Sequence, residues 1–475
     1  MQNNRMTDII YDYFVSRILT GYYRYGDRLP SVGCICTQFQ VSALTARAVL
    51  QKIRENGYIE TTERKASVVI YEHDSQTVQL SVYNYLSRKK GLDDIWQTSG
   101  LIFNPIARFY FSRQNADSIR RIRSRLKKVQ GHAARQIICL YSEAMQTLNN
   151  ALALNLFWEV ARYLHIPFLD QSASFECTDE QAGNHIKRML KLTEGGESEK
   201  AVTEMQAFST EVMQQFFLRL QDAYGNVPLP EQIPFQWQIY REHPQVCYTL
   251  AAEIMGRIDR QIYRPDEFLP SCQALALEYG VSSITMRRTL ELLSSMHVTE
   301  TLNGIGTKVS SDHTATPDFS HPQLRKSLIV FLQALQIAAL TAESTAKHTL
   351  TAMGESGFHK LSGQVKELME NGRVYLLGKA CFRFIGDNSA SAFVREVYQQ
   401  LYQLLLWGHV LHLIFQKPGS FDAYLSYAER MLESLHRMDA VGFARLLSEL
   451  LFTVLEFTRE LLLQLGFQKD QLINL

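Results

Sequence analysis

The sequence predicts a mainly α protein: two winged helix-turn-helix domains, helical with small β-wings, each followed by an all-helical bundle, the parts forming a pseudo-twofold internal repeat. Three observations predict it. Leu29-Pro30-Ser31, Val41-Ser42, Thr45 and Arg47 return 240 positions later as Leu269-Pro270-Ser271, Val281-Ser282, Thr285 and Arg287. Tyr58-Ile59-Glu60-Thr61 and Val298-Thr299-Glu300-Thr301 keep that offset, which marks a duplication rather than coincidence. Elsewhere apolar residues recur every three or four positions with almost no strand alternation. Between the halves, Ala223 to Pro234 holds Gly225, Pro228, Pro230 and Pro234, the composition of a stiff extended linker. The expected domains are a winged module over 1–75, a bundle over 78–222, the linker over 223–240, a second winged module over 241–312 and a second bundle over 322–475.

In chain order, Ile9, Ile10, Tyr13, Phe14, Ile18 and Leu19 form one face of a helix from Met6 to Leu19, stopped by Gly21 and the turn through Gly26. Pro30 and Ser31 open a second helix that ends at Phe39, the serine accepting a bond from an otherwise unpaired backbone N–H. Cys34 and Cys36 fall inside it and are expected to pack the core rather than act in redox chemistry. Gln40-Val41 is the short turn, Ser42 caps the third helix, and Leu44, Ala48, Val49, Leu50 and Ile53 are expected to be its buried side. Arg47, Gln51, Lys52 and Arg54 fall largely on other faces. Tyr58 to Thr61 and Val68 to Tyr71 then alternate like two short strands around a tip at Glu63-Arg64-Lys65-Ala66.

The second copy repeats this order with helices over Tyr248 to Ile262, Ser271 to Tyr279 and Ser282 to Met296, and a wing tip at Asn303-Gly304-Ile305-Gly306. The glycine pair lacks the strand-to-helix setting and following Lys-Ser or Lys-Thr of a phosphate loop. In the bundles, Ile119, Ile122, Leu126 and Val129, then Leu148, Leu152, Leu156, Val160 and Leu164, mark helices, and Leu401 to Phe415 is apolar nearly all round and expected to be central. Asp318 to Pro322, preceded by Pro317, is read as a hinge.

Composition is that of an intracellular multidomain protein: 475 residues, 46% hydrophobic, net charge +1, with seven scattered cysteines. Met1 to Arg5 lacks an apolar signal segment, and the longest uncharged run, Ser327 to Ala342, falls short of the ~20 apolar residues a membrane span needs. A cytoplasmic location without membrane partners is expected. Neither winged module is strongly basic: nine Lys/Arg oppose eight Asp/Glu over 1–75, and seven oppose nine over 241–312. Local placement must supply the attraction to phosphate. One run does stand out: Arg113, Arg120, Arg121, Arg123, Arg125, Lys127 and Lys128 oppose only Asp117, interleaved with the stripe of Ile119, Ile122 and Leu126. It reads as the solvated face of an amphipathic helix or as a second surface for DNA backbone or an acidic partner.

The winged motifs, through Ile18 to Gly21, Gly26-Asp27-Arg28-Leu29-Pro30-Ser31, Val41-Ser42 with Thr45 and Arg47, and Gly57-Tyr58-Ile59, resemble the DNA-binding domain of GntR-type bacterial transcription regulators. The second copy is similar through Tyr279-Gly280-Val281-Ser282 and Thr285-Met286-Arg287. The resemblance implies that Arg47 and Arg287 contact DNA. This chain departs where the family carries a Glu-Arg pair after Pro-Ser and an Arg after Val-Ser: here stand Val32-Gly33 and Cys272-Gln273, then Ala43 and Ser283. Each missing guanidinium removes a charged contact, which linking two modules offsets through effective concentration. More loosely, the bundles are similar to the helical effector domains of the FadR-like (FCD-type) branch, at Leu148-Asn149-Asn150-Ala151-Leu152, at Gly386-Asp387-Asn388, and in a hairpin over Leu432 to Leu450 with Asp439, Ala440 and Ala444 at its turn. Family members there bind a metal through an Asp and histidines. Tyr141, Phe208 and Leu450 stand near those positions, so neither a metal nor any cofactor is expected.

The expected function is that of a sequence-specific, double-stranded-DNA-binding transcriptional regulator acting as a single-chain pseudo-dimer, with a small-molecule effector in the bundles and, as an open alternative, further homodimerisation. Ser42, Thr45, Arg47 and Lys52, with Ser282, Thr285, Arg287 and Arg288, are expected at the major groove or its phosphates. On the wings, Arg64, Lys65, Asn303 and Lys308 are expected at the backbone or minor groove. Tyr375, Arg383 and Trp407 are candidate liners of an effector pocket, as are His409 and His412, which with His436 are otherwise core histidines. No catalytic arrangement emerges, so the chain is read as a non-enzyme. The alternative function is a metabolite-sensing or protein-interaction module that kept the fold and lost specific DNA binding.

Overall fold

The computed structural model describes residues 3–19, 23, 25–39, 41–61, 67–72, 82–128, 133–164, 179–239, 246–302, 304–311, 319, 322–408, 411 and 420–475. The chain divides into two compact units, residues 1–240 and, apart from a few residues, 241–475.

The first unit begins with helices α1 (Asn3–Leu19), α2 (Val32–Phe39) and α3 (Ala43–Glu55), followed by strands β1 (Ile59–Glu60) and β2 (Val68–Val69). The strands pair antiparallel, Ile59 with Val69 and Glu60 with Val68, and Arg28 bridges Val68 from the other side. Ile10, Phe14, Ile18, Ile35, Phe39, Val49 and Ile53 form the core. Burying these side chains supplies the main stabilisation, about 1.5–3 kcal/mol for each large one.

Two sequence expectations fail here for one reason, the width of a helix's buried stripe. On α2 only Ile35 and Phe39, four apart, are buried, so Cys34 is exposed and Cys36 half-buried instead of packing the core. On α3 the buried set is Thr45, Ala46, Val49 and Ile53. Leu44, expected on that side, sits about 100° round the helix from Thr45 and is 70% exposed.

The bundle of this unit contains α4 (Lys89–Thr98), α5 (Gly100–Phe111), α6 (Ala116–Lys128), α7 (Ala133–Thr147), α8 (Ala151–Tyr163), α9 (Asp179–Glu194) and α10 (Ser198–Tyr224). Trp158 on α8, 1% exposed, joins bundle to winged module, its ring 5.0 Å from that of Tyr13 and 4.5 Å from that of Phe39. Gln146 on α7 adds a polar tie, its Nε2 donating to the backbone oxygen of Thr37 at 3.0 Å. The Pro-rich segment is docked on the same unit rather than standing free. Helix α10 runs to Tyr224, and beyond it Ile233 N donates to Ser87 O, Gln232 Nε2 to Leu86 O, and Trp237 Nε1 to Asn155 Oδ1 at 2.8 Å.

The second unit repeats the plan with α11 (Val246–Asp259), α12 (Cys272–Glu278), α13 (Ser283–Ser295), β3 (Thr299–Leu302) and β4 (Gly306–Val309), the strands antiparallel and Phe268 bridging Lys308 as Arg28 bridges Val68. Helix α11 stops short of the expected Ile262 because Gln261 adopts φ 59°, and Ile262 N turns back to donate to Arg257 O. Then follow α14 (Pro322–Met353), α15 (Glu355–Glu370), α16 (Leu377–Asn388), α17 (Ala392–Leu405), α18 (Ser420–His436) and α19 (Ala440–Gln464). Their order matches that of the first bundle, Ala151 and Ala392 opening α8 and α17, and Ser198 and Ala440 opening α10 and α19.

The main difference is that α14 is unbroken, whereas its counterpart is interrupted at Ser99 into α4 and α5, with Pro105 inside the latter. Residues Leu324–Met353 of α14 are long and apolar enough to cross a membrane, but 72% of an apolar 18-residue stretch within them is buried, as in a core helix. Inside it, Thr341 and Thr345 share the Tyr398 hydroxyl at 2.9 and 2.5 Å, so these three buried hydroxyls are satisfied. Of the apolar stretch over Leu401 to Phe415, residues 401–405 close α17 and Leu406 and Trp407 are buried in the following turn, while residues 409, 410 and 412–415 lie outside the described residues.

The winged module of the second unit meets its bundle by different chemistry. Asp259, at the end of α11, accepts from Lys379 Nζ at 2.6 Å, Arg373 donates to the Asp259 carbonyl at 3.2 Å, and Gly256 packs closely against Leu406.

Candidate nucleic-acid interface

The third helix of each winged module is built identically at its start. Ser42 Oγ accepts from Thr45 N at 3.2 Å and meets Thr45 Oγ1 at 3.0 Å; Ser282 Oγ accepts from Thr285 N at 3.1 Å and meets Thr285 Oγ1 at 2.9 Å. A serine cap fixes the first turn and leaves the neighbouring amides facing outward. Helices α2 and α12 start alike, with Ser31 Oγ and Ser271 Oγ each accepting a backbone N–H at 3.2 Å.

Around these caps the expected contact residues fall into three groups. Ser42, Arg47, Ser282, Arg287 and Arg288 are exposed on α3 and α13 or at their caps. Lys52, near the end of α3, is half-buried with its ammonium 4.6 Å from the centre of the Tyr11 ring. Thr45, expected at the groove, is 3% exposed and commits its hydroxyl to the Ser42 cap, while Thr285 is half-buried in the same role. Their shared task is to hold the serine and the first turn.

On the wings, Arg64, Lys65 and Asn303 lie outside the described residues. Lys308 is held on β4 by Glu300 at 3.2 Å and Asp266 at 3.6 Å. The hydrogen bond to Glu300 raises its pKa above the ordinary lysine value, yet the two carboxylates offset its charge. The tip between β3 and β4 turns on Gly304 and Gly306, at φ 76° and 150°, and carries Ile305 at 72% exposure.

One pair was missed by the sequence reading. Leu44 and Ile284, 70% and 65% exposed, occupy the second position of α3 and α13, one turn before Arg47 and Arg287. Large apolar side chains so exposed in both copies match a partner that offers apolar groups beside acceptors, as the thymine methyl does in the major groove. The signal was present in the repeat itself, since Leu44 and Ile284 keep the 240-residue offset.

The effector candidates of the second bundle are scattered. Arg383 is exposed and 3.6 Å from Asp387; Trp407 is 2% exposed; Tyr375 is half-buried, its phenol pushed up by burial and then by Asp259. His409 and His412 lie outside the described residues, and His436 is exposed. None of these lines either of two described clefts. One, of about 560 Å³ in the first unit, is walled by Val82, Tyr83, Leu86, Tyr224 and Val227 to Pro230. The other, of about 390 Å³ in the second, is polar and includes Glu343, Tyr427, Arg445 and Glu456.

Residues 7–69 and 248–309 each match the family model of bacterial regulatory proteins, gntR family, so the chain carries that domain twice. No curated protein matches the chain. Among solved structures, it is similar to Streptococcus agalactiae GntR, at 15% identity and a TM-score of 0.20 over 44% of this chain and 99% of that one. It is also similar to a structure described as Lar controlling expression of the Listeria monocytogenes agr system and mediating virulence, at 15% identity, a TM-score of 0.20, and 46% and 98% coverage. A third is E. coli McbR/YncC, at 15% identity, a TM-score of 0.25, and 45% and 97% coverage.

Proposed function

We propose that this chain, a DNA-binding transcriptional regulator by its two gntR-family domains, reads one operator as a single-chain pseudo-dimer. The observation that carries the proposal is the pair of equally capped helices, α3 and α13, each presenting one arginine and one apolar side chain at matching positions outside the core. A homodimer presents two such helices by symmetry; here one polypeptide supplies both, so the operator has two related but unequal halves. Arg47 and Arg287 donate to guanine or phosphate, Leu44 and Ile284 pack on thymine methyls, and Arg288 and Lys52 meet phosphates. The domain organisation that goes with this reading is a winged module over 1–75, a bundle over 78–222 with the Pro-rich segment over 223–240 docked on it, a second module over 241–312 and a second bundle over 322–475. A small molecule bound by a bundle regulates by changing the spacing or angle of the two reading helices. The chain is cytoplasmic and not an enzyme in this reading.

Selection of bound duplexes from a random pool, with the full chain, tests it. The expected product is a bipartite site with a steep salt dependence, in which Arg47→Ala relaxes one half and Arg287→Ala the other. Recovery of only weak, sequence-blind binding would overturn it and favour a module that has lost DNA reading.

A further inference from the structure

Helix α6 carries six basic residues and one acidic one, whereas its counterpart α15 carries two lysines against three glutamates. Both bury an apolar seam, Ile119, Ile122 and Leu126 in the first and Phe358, Leu361, Val365 and Leu368 in the second. Packing therefore does not require a basic outer face, because the duplicated helix packs in the same way without one. The basic face belongs to one half alone.

Its place in the fold says what it serves. Arg125 pairs with Glu143 on α7, and one turn further along α7 Gln146 grips the backbone of Thr37 and Gln38 at 3.0 and 3.3 Å, at the end of α2 in the winged module. Helix α6 thus lies one turn of α7 away from the helix-turn-helix, within one compact unit. Part of the charge is locally offset, Arg120 by Asp117 and Arg123 by Glu194 at 2.7 Å, but Arg121 and Lys127 are exposed. The winged module beside it is nearly neutral, nine basic residues against eight acidic, and so has little field of its own for phosphate.

We propose that α6 is an accessory DNA-backbone contact, in which Arg121 and Lys127 engage phosphates flanking the half-site read by α3. This rests on the DNA-reading role proposed above. The partner is double-stranded DNA, recognised through its phosphates irrespective of base.

The test uses the full chain and the duplex recovered by selection, either cut flush with the site or extended by ten base pairs at each end. Wild type is expected to bind the extended duplex more tightly, with a slope of log affinity against log salt steeper by about 2, at about 0.9 per phosphate contact. The variant Arg121→Ala/Lys127→Ala loses that increment and keeps wild-type affinity for the flush duplex, which also shows that it folds. Arg47→Ala, by contrast, weakens both duplexes alike. A double variant with wild-type affinity and slope on the extended duplex overturns the proposal while leaving the reading role of α3 intact. Loss of binding to poly-glutamate without change on DNA assigns the helix to an acidic protein partner and also overturns it. If selection returns no site, the reading role fails and this proposal fails with it.

Discussion

At the scale of single residues, Gly57 and His297 occupy the same turn after α3 and α13, with φ 78° and 56°. The left-handed conformation costs a residue with a Cβ about 1–2 kcal/mol, and glycine gives back only about 0.5–1 kcal/mol through its freedom in the unfolded chain. A Cβ on Gly57 would meet nothing within 4 Å, so the cost there is conformational alone. Gly57→Ala is expected to lower the stability of the first winged module by about 1 kcal/mol and His297→Gly to raise that of the second by about 0.5–1 kcal/mol. Hydrogen exchange of α3 and α13 amides checks both, and equal protection in variants and wild type would refute the argument. The cysteines divide by the same local logic. Cys381 is wholly buried and its thiol is pushed up to about 12, whereas Cys34 is exposed. Since the thiolate is the reactive form, iodoacetamide at pH 8 should modify Cys34 and spare Cys381 until the chain is unfolded, as mass spectrometry would show. The native state holds the Cys381 proton more tightly than the unfolded chain. Its stabilisation is therefore complete below the ordinary thiol range and fades as pH rises from there towards 12.

At the scale of elements, the duplication was legible where backbone geometry restricts the residue. Serine caps, the turn before α3 and the wing turns tolerate few side chains, so Ser42 and Ser282, or Leu29-Pro30-Ser31 and Leu269-Pro270-Ser271, survive as landmarks. The helical halves were legible only as helices. A buried face asks for apolar volume and not for identity, so α8 and α17 keep their place in the order without sharing a motif, Asn150 capping α8 while Gly386-Asp387-Asn388 closes α16 ahead of α17. Exposure of Leu44 was illegible because apolar spacing does not fix how wide the buried stripe of α3 is, and docking of the proline-rich segment because it depends on Ser87, Leu86 and Asn155, far back along the chain. The joint between module and bundle has diverged furthest, aromatic in one unit and ionic in the other. Trp158→Ala removes the ring that meets Tyr13 and Phe39 and should cost the first unit about 3–5 kcal/mol. In a thermal scan followed by hydrogen exchange, α1 and α2 should lose protection while α11 and α12 keep theirs. Simultaneous loss in both units would mean that the two do not unfold independently.

At the scale of the whole molecule, the proposed pairing of two reading modules in one chain would change how affinity depends on concentration. A homodimeric regulator loses DNA binding as it dissociates on dilution, but a covalent pair does not, because the second module acts at an effective concentration set by the tether. Each module alone is expected to be weak, since Val32-Gly33, Cys272-Gln273, Ala43 and Ser283 leave these positions without charge. The tether is therefore where affinity is most exposed to a single cut. A protease site introduced between residues 240 and 245, cleaved after purification, should leave both units folded by circular dichroism. It should lower affinity for the bipartite site by about 10²–10⁴-fold, with the loss restored as protein concentration rises. The same cut should not affect binding to a duplex holding one half-site. Unchanged affinity for the bipartite site at high dilution would show that covalent linkage contributes nothing, and the pseudo-dimer reading would give way to one in which a single module suffices.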